Sequence, residues 1–221
     1  LAYLYLADTL QPKKIYIPKG TYQLELFKIK ADSIVFGDGF DETIIELTYT
    51  AAYSQVMCQI NSNTELRGIQ VKSLMTDLAL QRAEVSNAQN VLIERCKFLD
   101  FKDVTGPPEN VTIDSCFGVT NQLHINIEPN SSAFSNVQIK LANMTISKLS
   151  LLENGSGSTS SNQINIKACE IGILVYDGAN ATFIDCKINN FENETLPFFG
   201  RLKFVNTLGL EPNLLQDPYL I

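Results

Sequence analysis

Tryptophan is absent from this 221-residue chain, and histidine occurs once, at His124. Aromatic surface therefore comes from 12 Phe and 8 Tyr, and imidazole chemistry has a single candidate. His124 lies in Gln122-Leu-His-Ile-Asn-Ile127, alternating with apolar residues. A general base needs a partner within hydrogen-bond reach, and the sequence offers none, so His124 reads as an outward strand residue. Positive charge is also scarce: 17 basic residues face 24 acidic ones, for a net charge of −7. With no basic patch or tail, neither nucleic acid nor an anionic membrane surface is expected as a partner. No run approaches the roughly 18 apolar residues of a spanning helix, so no membrane insertion is expected. Leu1 to Leu6 are apolar but lack the basic flank and small-residue cleavage site of a signal peptide. The chain reads as a piece of a longer protein, starting inside a structural element. The sequence has no Cys-x-x-Cys, and its five cysteines are an odd number, which argues against a disulfide framework.

What is present is a repeat. At 45% hydrophobic and 19% charged residues, the chain can bury a substantial core. Asn90-Val-Leu-Ile-Glu-Arg-Cys-Lys-Phe98 aligns with Asn110-Val-Thr-Ile-Asp-Ser-Cys-Phe-Gly118 and with Gln163-Ile-Asn-Ile-Lys-Ala-Cys-Glu-Ile171. Asn136-Val-Gln-Ile-Lys-Leu-Ala-Asn-Met144 fits with Ala142 at the cysteine position, and Asn180-Ala-Thr-Phe-Ile-Asp-Cys-Lys-Ile188 fits again. Weaker copies lie at Leu66 to Val71 and Leu202 to Leu208. Val91 and Ile93 and their equivalents alternate with mostly polar residues, the period of a half-buried strand. The phase then shifts at a tight corner, after which Cys96 and Phe98 point inward again. Cys96, Cys116, Cys169 and Cys186 share one repeat position, where a free thiol serves as a small hydrophobe. The copies start at Val91, Val111, Val137, Ile164 and Ala181, at intervals of 20, 26, 27 and 17 residues. Such spacing predicts a solenoid that keeps its strands and varies its loops. The leading Asn residues suit a left-handed corner and predict a hydrogen-bonded Asn ladder. The regular Leu spacing of a leucine-rich repeat and the 3.6 period of a helical repeat are both missing.

Lys13-Lys-Ile-Tyr-Ile-Pro-Lys-Gly-Thr-Tyr22 resembles the opening segment of the pectate-lyase-like β-helix superfamily. Ser33-Ile-Val-Phe-Gly-Asp-Gly-Phe-Asp-Glu-Thr-Ile-Ile45 resembles its next coil, with a Gly-x-Gly turn before a Thr-Ile-Ile strand. The implied fold is all-β: one right-handed parallel β-helix over 1–221, with a short capping helix at 1–12. Coils fill 13–195, and 196–221 form the last coil and C-terminal cap. The Asn-Thr-Asp, Asp-Asp, Gly-His-Gly and Arg-Ile-Lys motifs of polygalacturonase-like hydrolases are absent, as is the Arg-x-Pro-x-x-Arg of pectate lyases. The chain is most similar to the β-helix part of bacteriophage tail spikes, fibres and appendages. That likeness implies a virion or extracellular location, a homotrimer, and binding to surface polysaccharide. Tyr49, Tyr53, Phe117 and Tyr176 are candidate stacking platforms for sugar rings. A polysaccharide lyase or hydrolase and a non-catalytic cell-surface adhesin are the alternatives.

Catalytic chemistry has one candidate column. Glu94, Asp114, Lys140 and Lys167 stand two positions before the aligned cysteine. Stacked about 4.8 Å apart, Glu94 and Asp114 would approach the ~5–5.5 Å carboxyl separation of a retaining glycosidase. The plainer reading is a solvated charged face with Asp114 paired to Lys140. Asp38, Asp41 and Glu42 form an acidic cluster, but calcium takes six to eight oxygens and an Asp/Gly turn explains them as well. Asp100, Asp103 and Gly106-Pro-Pro108 read as a polar connection, and Glu153 to Ser161 as a flexible protrusion. No cofactor or metal is expected. Asn-x-Ser/Thr sites at Asn110, Asn130, Asn143, Asn154, Asn180 and Asn193 are attributed mostly to composition.

Overall fold

A computed structural model describes residues 13–24, 27–48, 58–73, 83–86, 89–98, 101–105, 109–116, 123–127, 138–153, 163–177, 180–193 and 202–209. All secondary structure in these residues is β, in three sheets whose strand pairs are all parallel. The first sheet contains β1 (Lys13–Ile17), β4 (Ser33–Gly37), β7 (Thr64–Arg67), β10 (Gln89–Glu94) and β13 (Glu109–Asp114), and continues through β15 (Gln138–Ala142), β17 (Gln163–Lys167), β19 (Ala181–Ile184) and β21 (Leu202–Val205). The second holds β2 (Gly20–Leu24), β5 (Thr43–Leu47), β8 (Gln70–Ser73) and β11 (Lys97–Phe98). The third runs from β3 (Phe27–Ile29), β6 (Cys58–Ile60), β9 (Ala83–Ser86) and β12 (Phe101–Thr105) to β14 (Leu123–Ile127), β16 (Thr145–Glu153), β18 (Glu170–Asp177) and β20 (Lys187–Asn193). The chain visits the sheets in turn, and each strand pairs with its counterpart one circuit earlier. In the later circuits the second-sheet segment merges into the long strands: Thr145, Glu170 and Lys187 pair in register at the starts of β16, β18 and β20. The expected capping helix at 1–12 lies outside the described residues.

Alternation drives each strand. Val91 and Ile93 are buried while Leu92 and Glu94 are half-buried, and the same pattern recurs in β4, β7 and β19. Because all circuits are in register, like residues stack: Ile113, Leu141, Ile166, Phe183 and Phe204 form one inner row. Burying each such side chain is worth roughly 1.5–3 kcal/mol, and no single circuit could do so alone. In the third sheet, Leu149–Leu151 and Leu174–Tyr176 are buried residue after residue, so this stretch is covered on both faces.

Two corners set the phase. At the first, Asp32, Asn63, Asn90 and Asn110 all adopt φ between 54° and 59°. Asn63 Nδ2 donates to Asp32 Oδ1 (2.9 Å), Asn90 to Asn63 (3.0 Å) and Asn110 to Asn90 (3.0 Å), so the expected ladder forms at Asn90 and Asn110, whereas the register puts Gln138 rather than Asn136 at the next position. At the second, Gly68, Arg95, Ser115, Asn143, Ala168, Asp185 and Asn206 are left-handed. Arg95, Ser115 and Ala168 each sacrifice roughly 1–2 kcal/mol for that conformation. Their backbone N–H groups compensate by donating to Asp114, Ala142 and Ile184 of the next circuit at 2.9–3.1 Å.

The residue after this second corner is Cys96, Cys116, Cys169 or Cys186, and all five cysteines of the chain are free and buried. The thiols of Cys96, Cys116 and Cys186 each lie within 3.7 Å of two carbonyls, their own at i−2 and one from the preceding circuit. Thr207 fills the position in the last circuit and donates in the same way, to Phe183 at 3.4 Å and Val205 at 3.2 Å. The thiol is thus a small hydrophobe and also a donor. One sequence alignment is corrected here. Val111 pairs with Ile139, not Val137, so Met144 rather than Ala142 takes the cysteine position. A shift of two residues leaves the strand alternation unchanged, so periodicity could not detect it. The left-handed Asn143 fixes the true phase.

Candidate functional site

The outer face of the first sheet carries two rows of side chains. One passes through Lys14, Ile34, Glu65, Leu92 and Thr112 to Lys140. The other begins with Tyr16, Phe36, Arg67, Glu94 and Asp114 and continues through Ala142 and Lys167. Glu94 and Asp114 are therefore register neighbours, as expected. The proposed continuation to Lys140 is overturned: Lys140 stands opposite Thr112 and Asn165, and Ala142 follows Asp114. The slip of two residues in the alignment is the cause.

The carboxylates have separate partners. Glu94 pairs with Arg67 at 3.3 Å and with Arg95 at 3.7 Å. Asp114 Oδ1 accepts from Asn143 Nδ2 and from Ser115 Oγ, both at 2.8 Å. Each carboxylate thus has its own cation or amide partners, and the expected Asp114–Lys140 pair is replaced by Asn143. The arrangement is a charge ladder anchoring the second corner.

Beside this ladder the surface is concave. A groove of about 740 Å³ is lined by residues that include Lys14, Phe36, Asp38, Glu65, Arg67 and Arg95. Its floor exists because two circuits approach closely at the corner. A Cβ on Gly37 would come within 2.7 Å of the Gly68 carbonyl and of Thr43 Cβ, so only glycine fits there. Gly68 itself has φ +63° and donates its N–H to Glu94. Arg67, which lines the groove, pairs with Glu65 at 2.9 Å as well as with Glu94, and its side chain is 37% exposed.

Tyr16 adjoins the groove through two lining residues. Its ring packs on Phe36 with centroids 5.4 Å apart, and its hydroxyl donates to Asp38 Oδ1 at 2.6 Å. The hydrogen bond to that carboxylate raises the phenol above its ordinary pKa of 10.0. Asp38 Oδ2 accepts from the Lys19 N–H at 2.7 Å, and the Asp38 N–H donates to Thr43 Oγ1. Both carboxylate oxygens of Asp38 are therefore engaged inside the turn. Tyr16 remains 52% exposed, one of two exposed large hydrophobic residues among those described, the other being Leu208.

Tyr16 was not among the sequence candidates, although the signal existed: Ile15 and Ile17 alternate around it, so one face of β1 had to present Tyr16 outward. Of the aromatic candidates, Tyr49, Tyr53 and Phe117 lie outside the described residues. Tyr176 belongs to the core, 1% exposed and stacked on Phe191, so it offers no ring face to a ligand. The strand alternation turns it inward together with Leu174.

His124 falls in β14, where register sets it between Asp103 and Ser150. Ser150 is 2% exposed. Two glycosylation sequons have structural duties instead, since the amide nitrogens of Asn110 and Asn143 are spent in the corner ladders. No helix among the described residues is long and apolar enough to cross a membrane. Comparison with known protein families, with curated proteins and with solved structures finds no match for this chain.

Proposed function

We propose that this chain is a right-handed parallel β-helix of the pectate-lyase-like kind, serving as the scaffold of a phage tail spike, fibre or appendage that binds host surface polysaccharide. The single supporting observation is the first sheet. Nine parallel strands stay in register from β1 to β21, so two outward rows extend over about 38 Å at ~4.8 Å per strand. A long polymer meets such a face at several positions at once, each weak and together avid. The cyclic order of sheets supports the helical path, and the strong preference of parallel crossovers for one hand supports right-handedness. A trimer fits an elongated shaft of this kind.

The test is binding of the whole chain to immobilised capsular, lipopolysaccharide and teichoic acid preparations, with reducing ends and 235-nm absorbance followed in parallel. Binding without product release is the expected result. Turnover abolished by Glu94→Gln or Asp114→Asn would favour a hydrolase or lyase instead. Light scattering is expected to return three times the chain mass.

A further inference from the structure

We infer that the groove beside Tyr16 is a subsite for one uncharged pyranose unit, stacked on the Tyr16 ring and hydrogen-bonded by Glu65 and Arg67. This rests on the polysaccharide reading and names the ligand class and the residues. Three observations carry it.

The first is an exposed aromatic held rigid. Exposed Tyr side chains ordinarily turn freely, but Tyr16 is fixed at the ring by Phe36 and at the hydroxyl by Asp38. Asp38 is itself held by Lys19 and Thr43. A platform fixed before binding loses little entropy when a ligand arrives, and the apolar C–H face of a pyranose is the shape that a flat ring covers. The second is size: about 740 Å³ falls within the roughly 300–1,000 Å³ range of small-ligand sites.

The third is charge. Four acids line the groove (Asp38, Asp41, Glu42 and Glu65) against three bases (Lys14, Arg67 and Arg95). Both arginines are already paired with glutamates. A uronate or phosphate would meet net negative charge and would have to displace existing pairs. Sugar hydroxyls, which donate and accept, can instead join the Glu65–Arg67 pair without breaking it, because carboxylate and guanidinium keep spare hydrogen-bonding positions. The groove therefore suits a neutral hexose.

The experiment titrates the full chain against immobilised dextran and galactomannan as neutral probes and against polygalacturonate and alginate as anionic ones. Tyr16→Ala should weaken neutral binding about tenfold, the scale of one aromatic stacking contact. Tyr16→Leu, which keeps an apolar contact with Phe36, should weaken it as much, while Leu208→Ala leaves it unchanged. Circular dichroism melts identify any variant that fails to fold, and the leucine variant then carries the test. Undiminished binding by a folded Tyr16→Leu protein overturns the subsite. Preference for the anionic probes overturns the neutral ligand class while the polysaccharide reading stands. No binding by the wild-type chain to any probe or bacterial polysaccharide overturns that reading, and the subsite with it.

Discussion

The early and late circuits of the first sheet use the same backbone for different ends. Around β1, β4 and β7, the outer row presents Tyr16, Phe36 and Arg67, and the corner is drawn in by Gly37 and Gly68 until a groove opens. Around β15, β19 and β21, the same row holds Ala142, Ile184 and Val205, and the corner carries side chains at Asn143, Asp185 and Asn206. Inner rows hardly differ: Val35 and Leu66 in one region correspond to Leu141 and Ile166 in the other, all buried. The core is thus a repeated solution, while recognition potential arises where outward residues and corner glycines depart from the repeat.

Substitution in the inner rows carries the largest expected cost. Ile166→Ala empties a fully buried position between Leu141 and Phe183 and should cost about 2–5 kcal/mol in chemical denaturation. Ile34→Ala on the outer face should cost less than about 0.5 kcal/mol. Next is the first corner. Asn90→Ala removes two ladder bonds and strains a φ of 54°, for about 2–3 kcal/mol. Asn90→Gly relieves the strain and should recover about 1 kcal/mol of that loss.

Thiol chemistry sharpens the contrast between inside and outside. Burial pushes Cys58 up to about 12, and burial followed by the neighbouring Cys116 holds Cys96 well above its usual value. Its hydrogen bond with Cys186, and then burial, push Cys169 upward as well. Because the thiolate is the reactive form, iodoacetamide at pH 8 should leave the native chain essentially unlabelled at these three sites. After denaturation, mass spectrometry should find all five cysteines modified.

The smallest expected effects are electrostatic. Hydrogen bonds from Lys72 and then Gln23 lower Glu46 below its ordinary pKa of 4.5. A depressed carboxyl stabilises the fold above that ordinary value, and the contribution is lost as pH falls through the folded one. Tyr16 behaves oppositely. Its raised phenol contributes fully below pH 10, and that contribution disappears as pH rises through the folded value. Melting curves of Lys72→Met and Tyr16→Phe should converge on wild type at acid and alkaline pH respectively, each by no more than a degree or two.

Much of the strand pattern is legible in the residues themselves. Val91, Ile93, Cys96 and Phe98 are buried as their alternation and phase shift predict, and the Asn ladder forms where turn chemistry requires it. The slip at Ile139 shows the limit, since Val137, Ile139 and Leu141 satisfy a period of two in either alignment. The candidate site is less legible. Glu94 and Asp114 stand side by side as their repeat position predicts, but their partners Arg67 and Asn143 come from circuits 27 and 29 residues away in sequence. Tyr176 is indistinguishable from the other aromatic candidates until packing turns it inward.

Local alternation, left-handed corner residues and the recurrence of both were determined by the sequence alone, because each depends on the conformational preference and polarity of a few adjacent residues. The pairing of Arg67 with Glu94, the anchoring of Tyr16 by Asp38 22 residues later, and the groove between them were decided only by the tertiary structure. Each depends on how many residues a whole circuit takes, from 17 between Ile164 and Ala181 to 31 between Ile34 and Glu65. Loop length costs little closure entropy, so the sequence sets it loosely, and only the stacked circuits determine which outward side chains become neighbours.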